Sequence, residues 1–191
     1  MRVMRKRELI ETLTPDPSLT GVGEGKRTAA DSPVPLAGEG PGVRVAAQDG
    51  IQVKLGSWDE LGPQARRIRF EVFVVEQGVP PELEIDSMDP DSVHAVASRP
   101  PGPIVGTGRL LPDGHIGRIA VAREARGQGV GAALLLNLMQ AARERGHLEV
   151  ELFSQVHAQP FYERFGFVAV GPHFDDAGIA HVPMRARLAG G

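Results

Sequence analysis

The chain contains no cysteine. That excludes disulfides, thiolate metal sites and a covalent cysteine intermediate in any reaction it performs. Aromatic residues are sparse, and all nine lie at or after Trp58. No apolar run approaches the roughly 18–20 residues that a membrane-spanning helix needs. Neither charge dominates: 21 Lys and Arg stand against 24 Asp and Glu, a formal net charge of −3. A chain without a basic field is a poor partner for nucleic acid. The six histidines include no H-x-x-x-H pair, so no metal site is expected. The opening "MRVMRKRELIETL" is basic but lacks the apolar centre of a signal peptide, and Glu8 and Glu11 argue against a mitochondrial presequence. We expect a cytoplasmic protein that does not engage membranes.

Two regions differ in what they can bury. Residues 1–48 hold two similar pieces, "PDPSLTGVGEGKR" and "SPVPLAGEGPGVR", punctuated by Pro and Gly without apolar periodicity. Such a segment cannot bury enough surface to offset its ordering entropy. It reads as a disordered extension, with a short basic helix at 2–11 as the alternative. Residues 49–191 read as one domain with a sizeable core.

In that domain "IQVKL" alternates like a strand. Residues 59–76 place Leu61, Ile68, Val72 and Val75 at helical intervals, with Pro63 expected in the first turn. The acidic stretch "PPELEIDSMDPDS" follows. "VHAVAS", "IVGTGRLL" and "HIGRIAVA" are separated by short turns, which predicts an antiparallel meander. A helix over about 128–145 carries Val130, Leu134, Leu138 and Ala141 on one stripe. "LEVELF" predicts a strand and "AQPFYERF" a short helix. "FVAVG" and "HVPMRARL" predict closing strands. The order implies a mixed α/β or α+β fold, with a mostly antiparallel sheet flanked by helices.

Three glycines within Gly127–Gly131 stand where the long helix begins. A P-loop requires Gly-Lys-Ser/Thr, and here Gly131 is followed by Ala132 and Ala133. A dinucleotide fingerprint matches as G-x-G-x-x-A, and would make the protein an NAD(P)-dependent oxidoreductase. Against it, "REAR" separates strand from glycines, and the preceding strands pair antiparallel instead of opening a βαβ unit. A third reading is a pyrophosphate cradle. A helix N-terminus carries unpaired N–H groups and partial positive charge, and glycines bare those groups to an anion. Arg126 would add charge at its entrance.

"RGQGVG" has the form Arg/Gln-x-x-Gly-x-Gly/Ala, which resembles the acetyl-CoA signature of the GNAT superfamily of N-acetyltransferases. "IGRIAVAREARGQGVGAALL" is similar to that family's strand, loop and helix, and "AQPFYERFGF" to its "FYE-x-x-GF" motif. "RFEVFVVEQGVP", "ELEID", "VGTGRL" and "GIAHVPM" resemble the ElaA-type subgroup. The resemblance covers roughly residues 50–187. It implies acetyl-CoA as co-substrate, with the pantetheine arm on the backbone of Ile119, Ala120 and Val121. The pyrophosphate would lie on Arg126, Gly127, Gln128, Gly129, Val130, Gly131 and Ala132. Gln155 stands where relatives often carry an Asn that contacts the cofactor. Tyr162 takes the family's general-acid position, facing a thiolate whose conjugate acid has a pKa near ~8.5.

Transfer to an amine also requires a base. Glu76, Glu84, Asp86, Asp89, His94 and Glu151 are candidates. Glu76, Glu84 and Asp86 are the substrate-side candidates, and the acidic run that holds Glu84 and Asp86 could attract a cationic amine. The acceptor is a small-molecule or protein amine. Without cysteine or a G-x-S-x-G serine, transfer is expected to be direct, in a ternary complex. A non-catalytic acyl-CoA sensor is the alternative. The association state stays open, with a homodimer among the options.

Overall fold

The computed structural model describes residues 50–188. The extension expected over 1–48, with its candidate helix, lies outside the described residues.

The first sheet is antiparallel and has the order β1 (Gln52–Gly56), β2 (Val93–Ser98), β3 (Ile104–Leu110), β4 (Ile116–Val121). The expected meander thus gains β1 at its outer edge. Helix α1 (Trp58–Arg69) packs on one face, burying Leu61, Ala65 and Ile68. It starts with a capping box: the Ser57 hydroxyl accepts from the Glu60 N–H, and the Glu60 carboxylate accepts from the Ser57 N–H at 2.9 Å. The start at Trp58 moves Pro63 into the second turn, not the first as expected.

Nor does one regular helix run to residue 76. After Arg69 the chain winds as a π-helix over Phe70–Glu76, ending with Val79 N–H on Phe73 C=O at 2.9 Å. This wider coil sets Phe73, Glu76 and Gln77 against the outer side of β4. A short helix, α2 (Pro81–Glu84), follows.

The long helix α3 (Val130–Glu144) covers the opposite face of the sheet. Gly106 and Gly108 make that approach possible. A Cβ at Gly106 would stand 2.8 Å from Val130 Cγ1, and one at Gly108 2.9 Å from Leu138 Cδ1. Leu134, Leu135 and Leu138 are fully buried there. Each contributes about 1.5–3 kcal/mol, which outweighs the glycine cost in the facing strand.

The second sheet holds β5 (Glu149–Gln155), β8 (Ile179–Arg187) and β6 (Val168–Ala169), with β7 (Phe174–Asp176) also paired to β8. Helix α4 (Gln159–Glu163) links β5 to β6. The last strand therefore sits in the middle, not at an edge. β7 was not expected, because "FDD" has no apolar alternation. It forms through a two-residue turn in which Ala177 and Gly178 both have positive φ, 55° and 80°.

Candidate active site

β4 and β5 run side by side but share only one bridge, between His115 and Glu151, with the Glu151 N–H on the Gly114 carbonyl at 3.4 Å. Beyond it the strands part, and no β4–β5 ladder continues among the described residues. A bulge adds to the divergence. β3 advances two residues from Thr107 to Arg109 while β4 advances three, from Ala120 to Gly117. Arg118 inside the bulge has φ 53°. The parting exposes the outer edge of β4 to a groove of about 550 Å³. Ile119, Ala120 and Val121 form one wall, and Glu76, Gln77, Arg126 and Gln155 complete it. The amide of Gln155 donates to the Gln77 side-chain oxygen at 3.1 Å, tying β5 to the π-helical segment.

At the end of β4 a single 3-10 turn, Arg123–Ala125, leads into the glycines. Gly129 is the N-cap of α3 with φ 84°, a left-handed conformation that a side chain would strain. The first intrahelical bond runs from Ala133 N–H to Gly129 C=O at 3.0 Å. The N–H groups of Val130, Gly131 and Ala132 therefore have no acceptor within the helix. No capping side chain covers them. This is the chemistry a diphosphate needs, so the loop fits the group expected there. Arg99, which sequence reasoning missed, helps to hold it by donating to the Gln128 carbonyl at 2.8 Å.

Arg126 and Glu76 were expected at separate sites, and the structure joins them. The guanidinium makes two 2.7 Å bonds to the Glu76 carboxylate, and its Nε donates to the Val121 carbonyl at 3.0 Å. The pair spans the groove. Each partner holds the other charged: Glu76 is lowered by Arg126, and Arg126 is raised by Glu76. A phosphate bound at Arg126 has to compete with that carboxylate.

Past the groove lies a cavity of about 390 Å³, between the parting strands. Tyr162, Gln77, Gln155 and Arg118 line it, and farther along so do Asp86, His115, Asp176 and His181. Tyr162 packs edge-on against Phe161 and Phe167. Burial pushes its phenol up to about 12. The hydroxyl therefore keeps its proton at neutral pH and is a weaker acid than an ordinary phenol.

The acidic stretch builds a wall more than it offers loose charge. Arg69 is 1% exposed and bonds the Glu84 carboxylate, and it also contacts Asp89 at 2.7 Å. Arg109 contacts Asp89 and Asp86, both at 2.6 Å. Arg118 reaches Asp86 at 3.1 Å and donates to the carbonyls of Leu83 and Glu84. His94 is buried beneath, its Nε2 2.8 Å from the Asp89 carbonyl, and burial lowers its pKa. Glu84, Asp89 and His94 are thus enclosed, while Asp86 alone of this group reaches the cavity. Burial would raise the Asp86 pKa, but hydrogen bonds from Arg109 and the charges of Arg109 and Arg118 bring it down to about 2. Glu151 is held on β5 by Arg185, at 2.5 Å. Like Arg99, these three arginines were overlooked. Their signal was a charge at each otherwise inward position of apolar patterns, as in "IVGTGRLL".

Among the described residues no helix is long and apolar enough to cross a membrane, and no group of His, Asp or Glu could hold a metal ion.

Known proteins place this architecture. Residues 57–188 match the family model described as an acetyltransferase (GNAT) domain. An uncharacterized N-acetyltransferase of Bacillus subtilis, YjcF, is 40% identical over 121 residues, covering 61% of this chain and 86% of that protein. Among solved structures, an acyl-CoA N-acyltransferase from Pseudomonas aeruginosa is 36% identical with a TM-score of 0.63, covering 71% of this chain and 99% of that one. Escherichia coli ElaA is 29% identical with a TM-score of 0.63, covering 72% and 99%. The open-edged strand, the glycine cradle at α3 and the match over most of the chain agree: this protein belongs to the GNAT acetyltransferases and is an acyltransferase.

Proposed function

We propose that the protein moves an acetyl group from acetyl-CoA to a primary amine by direct transfer in a ternary complex. The observation that carries this reading is a groove along the open edge of β4, which starts at Arg126 just ahead of the bare N–H groups of Val130–Ala132 and shares Gln77, Ile119 and Gln155 with the cavity that holds Tyr162. Acetyl-CoA is here a substrate. Arg126 and the backbone of Gly127 to Ala132, with Gln128 among them, would hold its diphosphate. Ile119, Ala120 and Val121 would pair with its amides, and Gln155 would stand beside its thiol end. Asp86 is suited to hold a cationic amine, since its carboxylate stays ionised down to about pH 2. Glu76 acts on the cofactor side, by competing for Arg126. ElaA-type membership is the subgroup this reading favours, on the "GIAHVPM" strand and the likeness to ElaA.

Tyr162 is the group assigned to the sulfur. With its pKa near 12 it acts first as a hydrogen-bond donor to the developing thiolate. Isothermal calorimetry with acetyl-CoA tests the reading, and no binding at about millimolar concentration would remove it. Tyr162→Phe should reduce kcat by about 10–100-fold while leaving acetyl-CoA affinity unchanged. An unaltered kcat would take Tyr162 out of the reaction.

A further inference from the structure

Two arginines hold the glycine turn ahead of α3, and their charges are met differently. Arg126 is bonded twice to the Glu76 carboxylate, so its cation is matched before any ligand arrives. Arg99, directly after β2, has no ion-pair partner among the described residues. Its one side-chain hydrogen bond there runs from Nη2 to the main-chain carbonyl of Gln128, 29 positions along the chain, at 2.8 Å. Its Nε–H is buried and has no acceptor. A buried donor left unpaired is a standing cost. The placement therefore does not serve the hydrogen bonding of Arg99 itself, and what it does serve is the carbonyl at its other end.

That carbonyl belongs to a peptide with two possible settings. Gly127 and Gly129, on either side of Gln128, both have positive φ, 71° and 84°. Glycine takes either sign of φ at little cost, so the backbone alone does little to stop the Gln128–Gly129 peptide from turning over. The peptide is trans, and in a trans peptide C=O and N–H point in opposite directions. With the carbonyl held on Arg99, the Gly129 N–H faces away from the guanidinium. That N–H has no acceptor among the described residues, like those of Val130, Gly131 and Ala132 that follow it. Successive bare N–H groups make an anion-binding concavity. Turned over, the same peptide would set carbonyl lone pairs where an N–H now stands, and these repel a phosphate oxygen.

We infer that Arg99 is a positioning residue of the diphosphate site: it fixes the Gln128–Gly129 peptide with its carbonyl on the Arg99 side, so that the Gly129 N–H joins the bare donors at the start of α3. This rests on the acetyl-CoA reading above and adds the side chain that keeps the turn in its anion-binding setting. No other side chain bonds the main chain of residues 127–129 among the described residues. The Gln128 amide is turned back onto the Glu124 carbonyl at 2.7 Å. The guanidinium also acts through the bond it makes. A cation on the carbonyl polarises the amide and makes the N–H at its far end a stronger donor. Arg99 does this from the carbonyl side of the peptide, so it acts on a phosphate through Gly129 and not by touching it.

The test uses the full chain with Arg99→Met, which keeps length without donors, and Arg99→Lys, which keeps a donor and the charge. Isothermal calorimetry measures acetyl-CoA. Titration of backbone amide resonances measures S-acetylpantetheine, the same thioester without the diphosphate. Arg99→Met should weaken acetyl-CoA binding by about 10–100-fold and leave S-acetylpantetheine within about twofold of wild type, and Arg99→Lys should restore most of the loss. The ratio of wild type to Arg99→Met should persist at about 0.5 M salt, because a contact that orients a peptide is not screened as a distant charge is. Equal losses on both probes, a ratio that vanishes in salt, or acetyl-CoA affinity in Arg99→Met within about threefold of wild type would each overturn the assignment. A second readout needs no variant. Inorganic pyrophosphate added to wild type should move the Gly129 amide proton downfield, and an unmoved resonance would equally overturn the assignment. Wild type that fails to bind acetyl-CoA would remove the acetyl-transfer reading and this inference with it. Wild type that binds, matched by Arg99→Met, would remove this inference alone.

Discussion

The two halves of the cleft are built from different materials. The groove side works through main chain: a strand edge at Ile119–Val121 and bare N–H groups at the start of α3. The cavity side works through side chains drawn from α1, α2, β3, β4 and the segment between α2 and β2, locked as Arg69, Arg109 and Arg118 against Glu84, Asp86 and Asp89. A backbone site depends on where chain conformation is permissive, so it should tolerate most sequence change except at its glycines. A side-chain lattice depends on every partner being present. Its failures should be failures of folding before they are failures of binding.

The largest expected effect comes from breaking the lattice. Asp89→Asn leaves Arg69 and Arg109 short of a buried counter-charge and should destabilise the protein by about 3–5 kcal/mol in urea unfolding. Acid should act on the same wall more gently. The Asp86 pKa is depressed in the folded state, so its contribution is present above about pH 4 and disappears as pH falls toward 2. Its carboxylate is about one-third exposed, so after discounting for solvent screening the loss is about 1–2 kcal/mol. Unfolding curves between those pH values should show it, and Asp86→Asn should flatten the slope.

On the groove side, Gly129→Ala forces a side chain into φ 84° and should cost about 1–2 kcal/mol while weakening acetyl-CoA binding. Gly131→Ala should do the reverse for stability. A Cβ there meets nothing nearer than Phe161 Cζ at 3.6 Å, so the helix gains about 0.5–1 kcal/mol. The pair of variants separates backbone freedom from space. The smallest effect belongs to Glu76→Gln, which releases Arg126 at an exposed position. It should leave the unfolding midpoint unmoved and tighten acetyl-CoA binding in calorimetry.

This contrast also explains what could be read in the chain. Glycines, helix caps and apolar periodicity act locally, so α3, the three-stranded meander β2–β4 and the glycine turn ahead of Val130 were legible. The wall's ion pairs, which join residues 15 to 32 positions apart, were not, because no local pattern names the partner of Arg69 or Arg118. The acidic stretch was read as a surface that could attract an amine; two of its carboxylates, Glu84 and Asp89, are buried against arginines, while Asp86 lines the cavity. β7 escaped because a strand of "FDD" exists only through its pairing with β8.

The single bridge at His115 and Glu151 has a mechanical consequence. Two sheets whose backbones are bridged at one point among the described residues, and which otherwise meet through a shared core and side-chain contacts, resemble a hinge with a wedge-shaped mouth. An extended ligand lying along Ile119–Val121 would serve as the missing strand and make the sheet continuous. Its amides would replace the ladder that β4 and β5 do not form, so part of the binding energy would appear as rigidity of the fold. Slower amide exchange along β4 and β5 in the liganded protein would be its signature.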